Sequence, residues 1–312
     1  MIDRRALLGG SAALTVIAAA PPALALSEQP LEEIKLWPGA PPGKGGVTGP
    51  EKIGGPGSGY GAVSNISTPR MRVYRPATPN GAAVLVCGGG GYFRIQLWKE
   101  STPIAQWLQA RGYTVFELIF RLPADGWEAA TPFMDAQRAM KIIRTRASEF
   151  SIDPQRIGIM GFSAGGHLAG FTALQPEREL YAGADRYEHV SARPDFSVLL
   201  FPVVTLRKPY DTTRTRREIV GRDASTRAEN EWSLDTYAAK DAPPTIIFAS
   251  ADDTITPPGH GILLFEKLNA AGASVELHMF RDGGHGWGLG KPEQVLSQWP
   301  VIFEKWFHSF QE

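Results

Sequence analysis

The stretch Arg156-Ile157-Gly158-Ile159-Met160-Gly161-Phe162-Ser163-Ala164-Gly165-Gly166-His167 decides how the rest of the chain is read. An apolar run, Arg156 to Met160, leads into Gly161-Phe162-Ser163-Ala164-Gly165, which fits the pattern G-x-S-x-G. A short apolar run of this kind suits a buried strand, and the residues from Ala164 onward suit a helix. A serine in so tight a strand-to-helix turn is held in strained backbone geometry with its hydroxyl exposed. The flanking glycines let strand and helix approach closely. The pentapeptide alone occurs by chance, and a serine there could merely cap the helix. Its strand–turn–helix setting makes Ser163 a candidate nucleophile.

Working outward, the same rhythm repeats. Met71-Arg72-Val73-Tyr74 alternates like an edge strand, and Ala82 to Cys87 is an apolar run closed by Gly88-Gly89-Gly90-Gly91. Tyr113–Phe120, Phe196–Leu206, Thr245–Ser250 and Ser274–Phe280 read as further strands. Ser101-Thr102-Pro103 opens a helix with a hydroxyl cap and an early proline, and Gly112 stops it. A second helix opens at Thr131-Pro132, and Phe133, Ala136, Met140, Ile143 and Ala147 recur at the steps of one inward face. Helices are also expected at about 257–271 and 291–310. Strands alternating with helices predict an α/β fold, a mostly parallel sheet with helices on both faces. Residues 36–69, rich in Gly and Pro, read as a lead-in that wraps the surface. Residues 207–243 are polar and long for a connection, so they read equally as a solvated excursion or as a cap over the site.

Composition narrows the classes. The 312 residues carry 32 basic and 32 acidic side chains and are 43% hydrophobic, which excludes a disordered chain and argues against a nucleic-acid partner. The lone cysteine, Cys87, cannot form an intramolecular disulfide. Arg4 and Arg5 precede an apolar run, Ala6 to Ala20, and Ala23-Leu24-Ala25 offers a cleavage site. Residues 1–25 therefore read as an export signal, twin-arginine in type, leaving 26–312 as a single periplasmic or secreted domain with no stable membrane insertion.

A serine nucleophile needs a base, and the base needs an orienting acid. Of six histidines, His285 alone follows a strand within a glycine loop, Gly283-Gly284-His285-Gly286-Trp287. It also satisfies the chain order Ser, Asp, His. Asp252 and Asp253 follow the strand Thr245–Ser250, and both are candidates. Asp252 is preferred as nearer the rigid strand end, which leaves Asp253 to cap the turn. Oxyanion donors are expected from the backbone N–H groups of Ala164, Gly90 and Gly91. Tyr92 and Trp287 flank these loops and are candidate substrate-stacking faces, with simple packing as the alternative. No metal-ligand spacing is present, and the mechanism implied needs no cofactor.

Taken together, Leu36-Trp37-Pro38-Gly39, Gly89-Gly90-Gly91-Tyr92, Lys99-Glu100, Arg121-Leu122-Pro123, Gly161 to His167, Ala251-Asp252-Asp253 and Gly283 to Gly286 carry a resemblance. The chain resembles the bacterial α/β-hydrolases related to acetyl xylan esterases and feruloyl esterases, the group with a G-G-G-Y oxyanion loop. That resemblance implies a Ser–Asp–His triad and ester hydrolysis, often on acetylated plant polysaccharides. Related peptidases carry a similar Ala-Asp-Asp turn with the first aspartate in the triad, again favouring Asp252. The chain departs from the group at Cys87-Gly88, where Cys-Pro is usual, and at Thr254-Ile255-Thr256. The expectation is a serine esterase acting on short acyl groups of a small-molecule or oligosaccharide ester. A serine peptidase of the same fold and a non-catalytic binding protein are the alternatives.

Overall fold

The computed structural model describes residues 31–54, 59–183 and 185–309. The export signal expected over residues 1–25 lies outside them.

Among the described residues, the apolar runs form the middle of one sheet. The strands in chain order are β1 (Glu32–Lys35), β2 (Lys52–Ile53), β3 (Ala62–Ser64), β4 (Arg70–Tyr74), β5 (Ala83–Cys87), β6 (Ile95–Gln96), β7 (Thr114–Ile119), β8 (Ile157–Phe162), β9 (Phe196–Leu200), β10 (Thr245–Ser250) and β11 (Val275–Phe280). The main sheet has the order β1-β4-β7-β5-β8-β9-β10-β11, and β2, β3 and β6 form a small second sheet. Pairing is antiparallel from β1 through β4 to β7 and parallel from β7 to β11. The central parallel strands are buried on both faces, which is why β5 and β8 read as apolar runs rather than as alternation.

Among the described residues there are seven α-helices: α1 (Thr102–Gln109), α2 (Thr131–Thr145), α3 (Ala164–Leu174), α4 (Arg214–Val220), α5 (Thr226–Glu231), α6 (Gly259–Ala271) and α7 (Trp299–Ser309). Successive strand residues point to opposite faces, so two cores form. Leu85, Ile159, Leu199 and Ile247 meet Phe133 of α2, Leu168 of α3 and Leu264 of α6 on one side. Val84, Met160, Val198 and Phe248 meet Ile104 of α1 and Trp299 and Phe303 of α7 on the other. Each large apolar side chain so buried contributes roughly 1.5–3 kcal/mol. The inward face predicted for α2 is buried throughout. Among the described residues, no helix is long and apolar enough to cross a membrane.

Three expectations are corrected here. β9 ends at Leu200, not Leu206, because Phe201 turns to φ +38° and the N–H groups of Val204 and Thr205 donate to His260 Nδ1 instead of to a neighbouring strand. Ser101 does not cap α1. A π-helical turn, Leu97–Ser101, runs straight into the helix, and the Ser101 hydroxyl donates to Glu117 at 2.6 Å. The C-terminal helix begins at Trp299 after a 3₁₀ turn, Val295–Gln298, with Pro300 in its first turn where a missing N–H costs nothing. Within 207–243 lie α4 and α5. This segment packs down onto α3, with the Trp232 ring stacked on Phe171 at 5.1 Å and the Leu234 N–H on Val204 O.

Candidate active site

β8 delivers Ser163 into its turn. The serine has φ +54° and ψ −115°, a conformation few non-glycine residues adopt. The surrounding glycines are required by close approach. A Cβ on Gly165 would stand 2.1 Å from Cys87 O, and one on Gly161 would stand 2.1 Å from Gly165 O. The Ser163 N–H donates to Leu200 O, and its carbonyl accepts from the N–H groups of His167 and Val203. These three bonds hold a strained residue in place.

The loop after β11 brings His285 to it. His285 Nε2 lies 2.9 Å from Ser163 Oγ, and His285 Nδ1 lies 2.7 Å from Asp253 Oδ2. The acid on the histidine is thus Asp253, not Asp252 as the sequence favoured. The chain turns after β10, with the Asp253 N–H bonded to Ser250 O, so residue 253 folds back inside and its side chain is only 1% exposed. Asp252 stands in solvent and accepts the Gly284 N–H at 2.8 Å. That bond, together with one from Gly283, holds its carboxyl below the usual carboxylate range. It braces the histidine loop without touching the imidazole. Asp253 also does the turn work expected of its neighbour. Its Oδ1 accepts the N–H groups of Ile255 and Thr256 at 2.8 and 2.9 Å, leaving Oδ2 for His285.

β5 ends in the glycine loop. A Cβ on Gly89 would stand 3.1 Å from Ser163 Cβ, so the loop lies directly beside the nucleophile. The Gly89 N–H is engaged, donating to Glu100 Oε2 at 2.8 Å. Among the described residues no protein acceptor takes the N–H of Gly90 or Gly91, which turn through φ +120° and +61°. Ala164 opens α3, where an N–H has no partner within the helix.

The two candidate stacking residues are placed differently from each other. Tyr92 is 1% exposed and points into the core, so it presents no face to a substrate. Its hydroxyl lies 3.0 Å from His167 Nδ1, while His167 Nε2 lies 2.6 Å from Trp232 O. A carbonyl can only accept, so Nε2 carries the proton, Nδ1 accepts, and Tyr92 donates. Burial lowers the His167 pKa to about 4, consistent with a neutral ring. The chain of bonds ties the oxyanion loop to α3 and α3 to the 207–243 segment. Trp287 is half-buried behind the base. Its ring meets Phe201 at 4.8 Å, and Phe201 meets His285 at 4.8 Å. Its other neighbours are Phe280 and Trp299, so it works as packing for the histidine. Sequence reasoning missed Glu100 beyond its place in a motif, and nothing in its spacing signals that it reaches Gly89. Among the described residues, no three His, Cys, Asp or Glu side chains gather as a metal site.

The chain is similar to several known ester hydrolases. The chain is 27% identical over 235 residues to the acetylxylan esterase of Xylanibacter ruminicola, a match covering 73% of this chain and 45% of that protein. It is 33% identical over 147 residues to the ethyl acetate hydrolase of Pseudomonas putida, covering 45% and 42%. It thus spans less than half the length of these curated relatives. Among solved structures it superposes on an acetyl ester-xyloside bifunctional hydrolase from Caldicellulosiruptor lactoaceticus with a TM-score of 0.71 and 31% identity, over 78% of this chain and 89% of that one. Esterase 2 of Thermogutta terrifontis, in a propionate-bound form, gives 0.63 and 25% over 78% and 89%. Residues 71–268 match the BD-FAE family, and with the sheet order and serine turn above, the chain belongs to the BD-FAE family of α/β-hydrolases.

Proposed function

We propose that this chain is a serine esterase that removes short acyl groups, acetyl above all, from sugars or polysaccharide fragments. The observation that carries the reading is the continuous hydrogen-bonded line from Asp253 through His285 to Ser163. In this mechanism Ser163 Oγ attacks the ester carbonyl while His285 Nε2 takes its proton. The N–H groups of Gly90, Gly91 and Ala164 receive the oxyanion. The imidazolium, held by the Asp253 carboxylate, then protonates the departing alkoxide as the C–O bond breaks. Water, deprotonated by the same nitrogen, cleaves the acyl-enzyme, releases the acid and restores the serine. The cycle consumes only water. Support for acetylated sugars comes from what the similar proteins are: an acetylxylan esterase and an acetyl ester-xyloside hydrolase. Export to the periplasm by residues 1–25 belongs to the same proposal.

The test is a substrate panel: p-nitrophenyl acetate, acetylated xylan, acetylated pectin oligomers, feruloylated sugars and aminoacyl-anilides. Acetate release from the acetylated sugars supports the reading. Turnover of the anilides without the esters would replace it with a peptidase. Turnover of none would leave a binding protein.

A further inference from the structure

We propose that Glu100 is a positioning residue that sets the register of the oxyanion donors against Ser163 and carries the same restraint to the loop of His285. The inference rests on the triad reading above. Gly89 is wedged beside the nucleophile: a Cβ there would stand 2.9 Å from Phe162 O and 3.1 Å from Ser163 Cβ. No side chain of the glycine loop can therefore grip this point from within. The restraint has to reach in from another element, and Glu100 does so from the π-helical turn Leu97–Ser101. Such widened turns are rare and are found often at functional sites.

The two carboxylate oxygens face the two loops. Oε2 accepts the Gly89 N–H at 2.8 Å. Oε1 lies 3.4 Å from the position of a Cβ on Gly286, the residue after His285, whose φ of +71° disfavours a side chain there. With the Gly89 N–H taken by Glu100, the next two, from Gly90 and Gly91, remain for the substrate. Glu100 is 5% exposed, and among the described residues it makes no ion pair. Burial raises its pKa, an effect opposed first by the Gly89 bond and then by the neighbouring basic side chains. A buried acid without a paired cation is a costly filler for space that an apolar side chain could occupy. The bond it makes is what distinguishes it from one.

The experiment compares wild type, Glu100→Gln and Glu100→Ala with p-nitrophenyl acetate. Inhibition by an aryl trifluoromethyl ketone, whose serine adduct bears an oxyanion, is measured alongside. The Gln side chain keeps an acceptor for the Gly89 N–H at nearly the same volume, and Ala removes it. Misplacing an oxyanion donor by about 1 Å costs on the order of 10²-fold. We expect Glu100→Ala to lose about 10²-fold in kcat with KM within about threefold, and the ketone to weaken by the same factor. Glu100→Gln should stay within about tenfold of wild type in both. If Glu100→Ala fails to fold, Glu100→Met, which fills the space without an acceptor, replaces it. An Ala or Met variant with wild-type kcat, a loss confined to KM, or a Gln variant as impaired as Ala would each overturn the proposal. A wild type inert to every ester would reject the function itself and is read separately from these ratios.

Discussion

Replacing Asp253 with asparagine should abolish turnover for a reason the geometry makes specific. Asp253 Oδ1 already receives two backbone N–H groups, from Ile255 at 2.8 Å and Thr256 at 2.9 Å. An asparagine must keep its carbonyl oxygen toward those donors, which turns its NH₂ toward His285 Nδ1. That nitrogen would then have to accept, and the ring proton would move to Nε2. A protonated Nε2 cannot take the proton of Ser163, which lies 2.9 Å away. The same tautomer error in a serine protease costs about 10⁴ in kcat, or about 5.4 kcal/mol at 1.36 kcal/mol per decade. Asp252→Asn keeps an acceptor for the Gly284 N–H and removes only a solvent-exposed charge, so a loss of no more than about tenfold is expected, since exposed charges contribute little. Initial rates with p-nitrophenyl acetate, on variants whose near-ultraviolet circular dichroism matches wild type, decide the matter. A 10⁴-fold loss in Asp252→Asn with Asp253→Asn near wild type would refute the reasoning and return the acid to the residue the sequence favoured.

Tyr92→Phe should strand His167 Nδ1 without a donor in the core, costing about 1–3 kcal/mol in urea unfolding, and should lower kcat more than it changes KM. Gly165→Ala places a methyl 2.1 Å from Cys87 O and 2.5 Å from Gly88 O, both backbone, so a destabilisation of about 3 kcal/mol or more with loss of activity is expected by calorimetry and assay. His167 and His260 are buried, and burial lowers the pKa of each to about 4, below the unfolded value near 6.5. The unfolded chain binds more protons in that window, so stability present above pH 6.5 should be lost as pH falls through about 4, by on the order of 3 kcal/mol per histidine. Thermal midpoints measured from pH 8 to 4 should fall steeply in wild type and less so in His167→Gln; a flat profile would contradict the buried neutral rings.

The sheet was legible because its central strands are buried on both faces, so Ala83–Cys87, closed by Gly88, and Ile157–Phe162 appear as apolar runs. Thr245–Ser250 matches its predicted bounds for the same reason. Phe201 misled because residues 201–206 remain apolar after the ladder ends. What stops the strand is a positive φ and a histidine from α6, neither of which local sequence states. The serine turn and its histidine were readable from glycine spacing and chain order. The choice between Asp252 and Asp253 was not, since strand-end rigidity argued for the first while the tight turn carries the second inward. One carboxylate has two oxygens, and Asp253 serves the turn and the histidine at once. Tyr92 looked like a substrate face because it follows the oxyanion glycines. Its φ of +59° swings the ring into the core, toward a histidine 75 residues away.

The most direct measurement is covalent capture of the nucleophile. The protein is treated with a fluorophosphonate ester, and intact mass and peptide mapping locate the adduct. Wild type should gain one phosphonyl group, on the peptide bearing Ser163, with esterase activity lost in proportion to labelling. Ser163→Ala should gain none and should lose on the order of 10⁶ in kcat toward p-nitrophenyl acetate. Labelling at another serine, or ester turnover that persists in Ser163→Ala, would contradict the account.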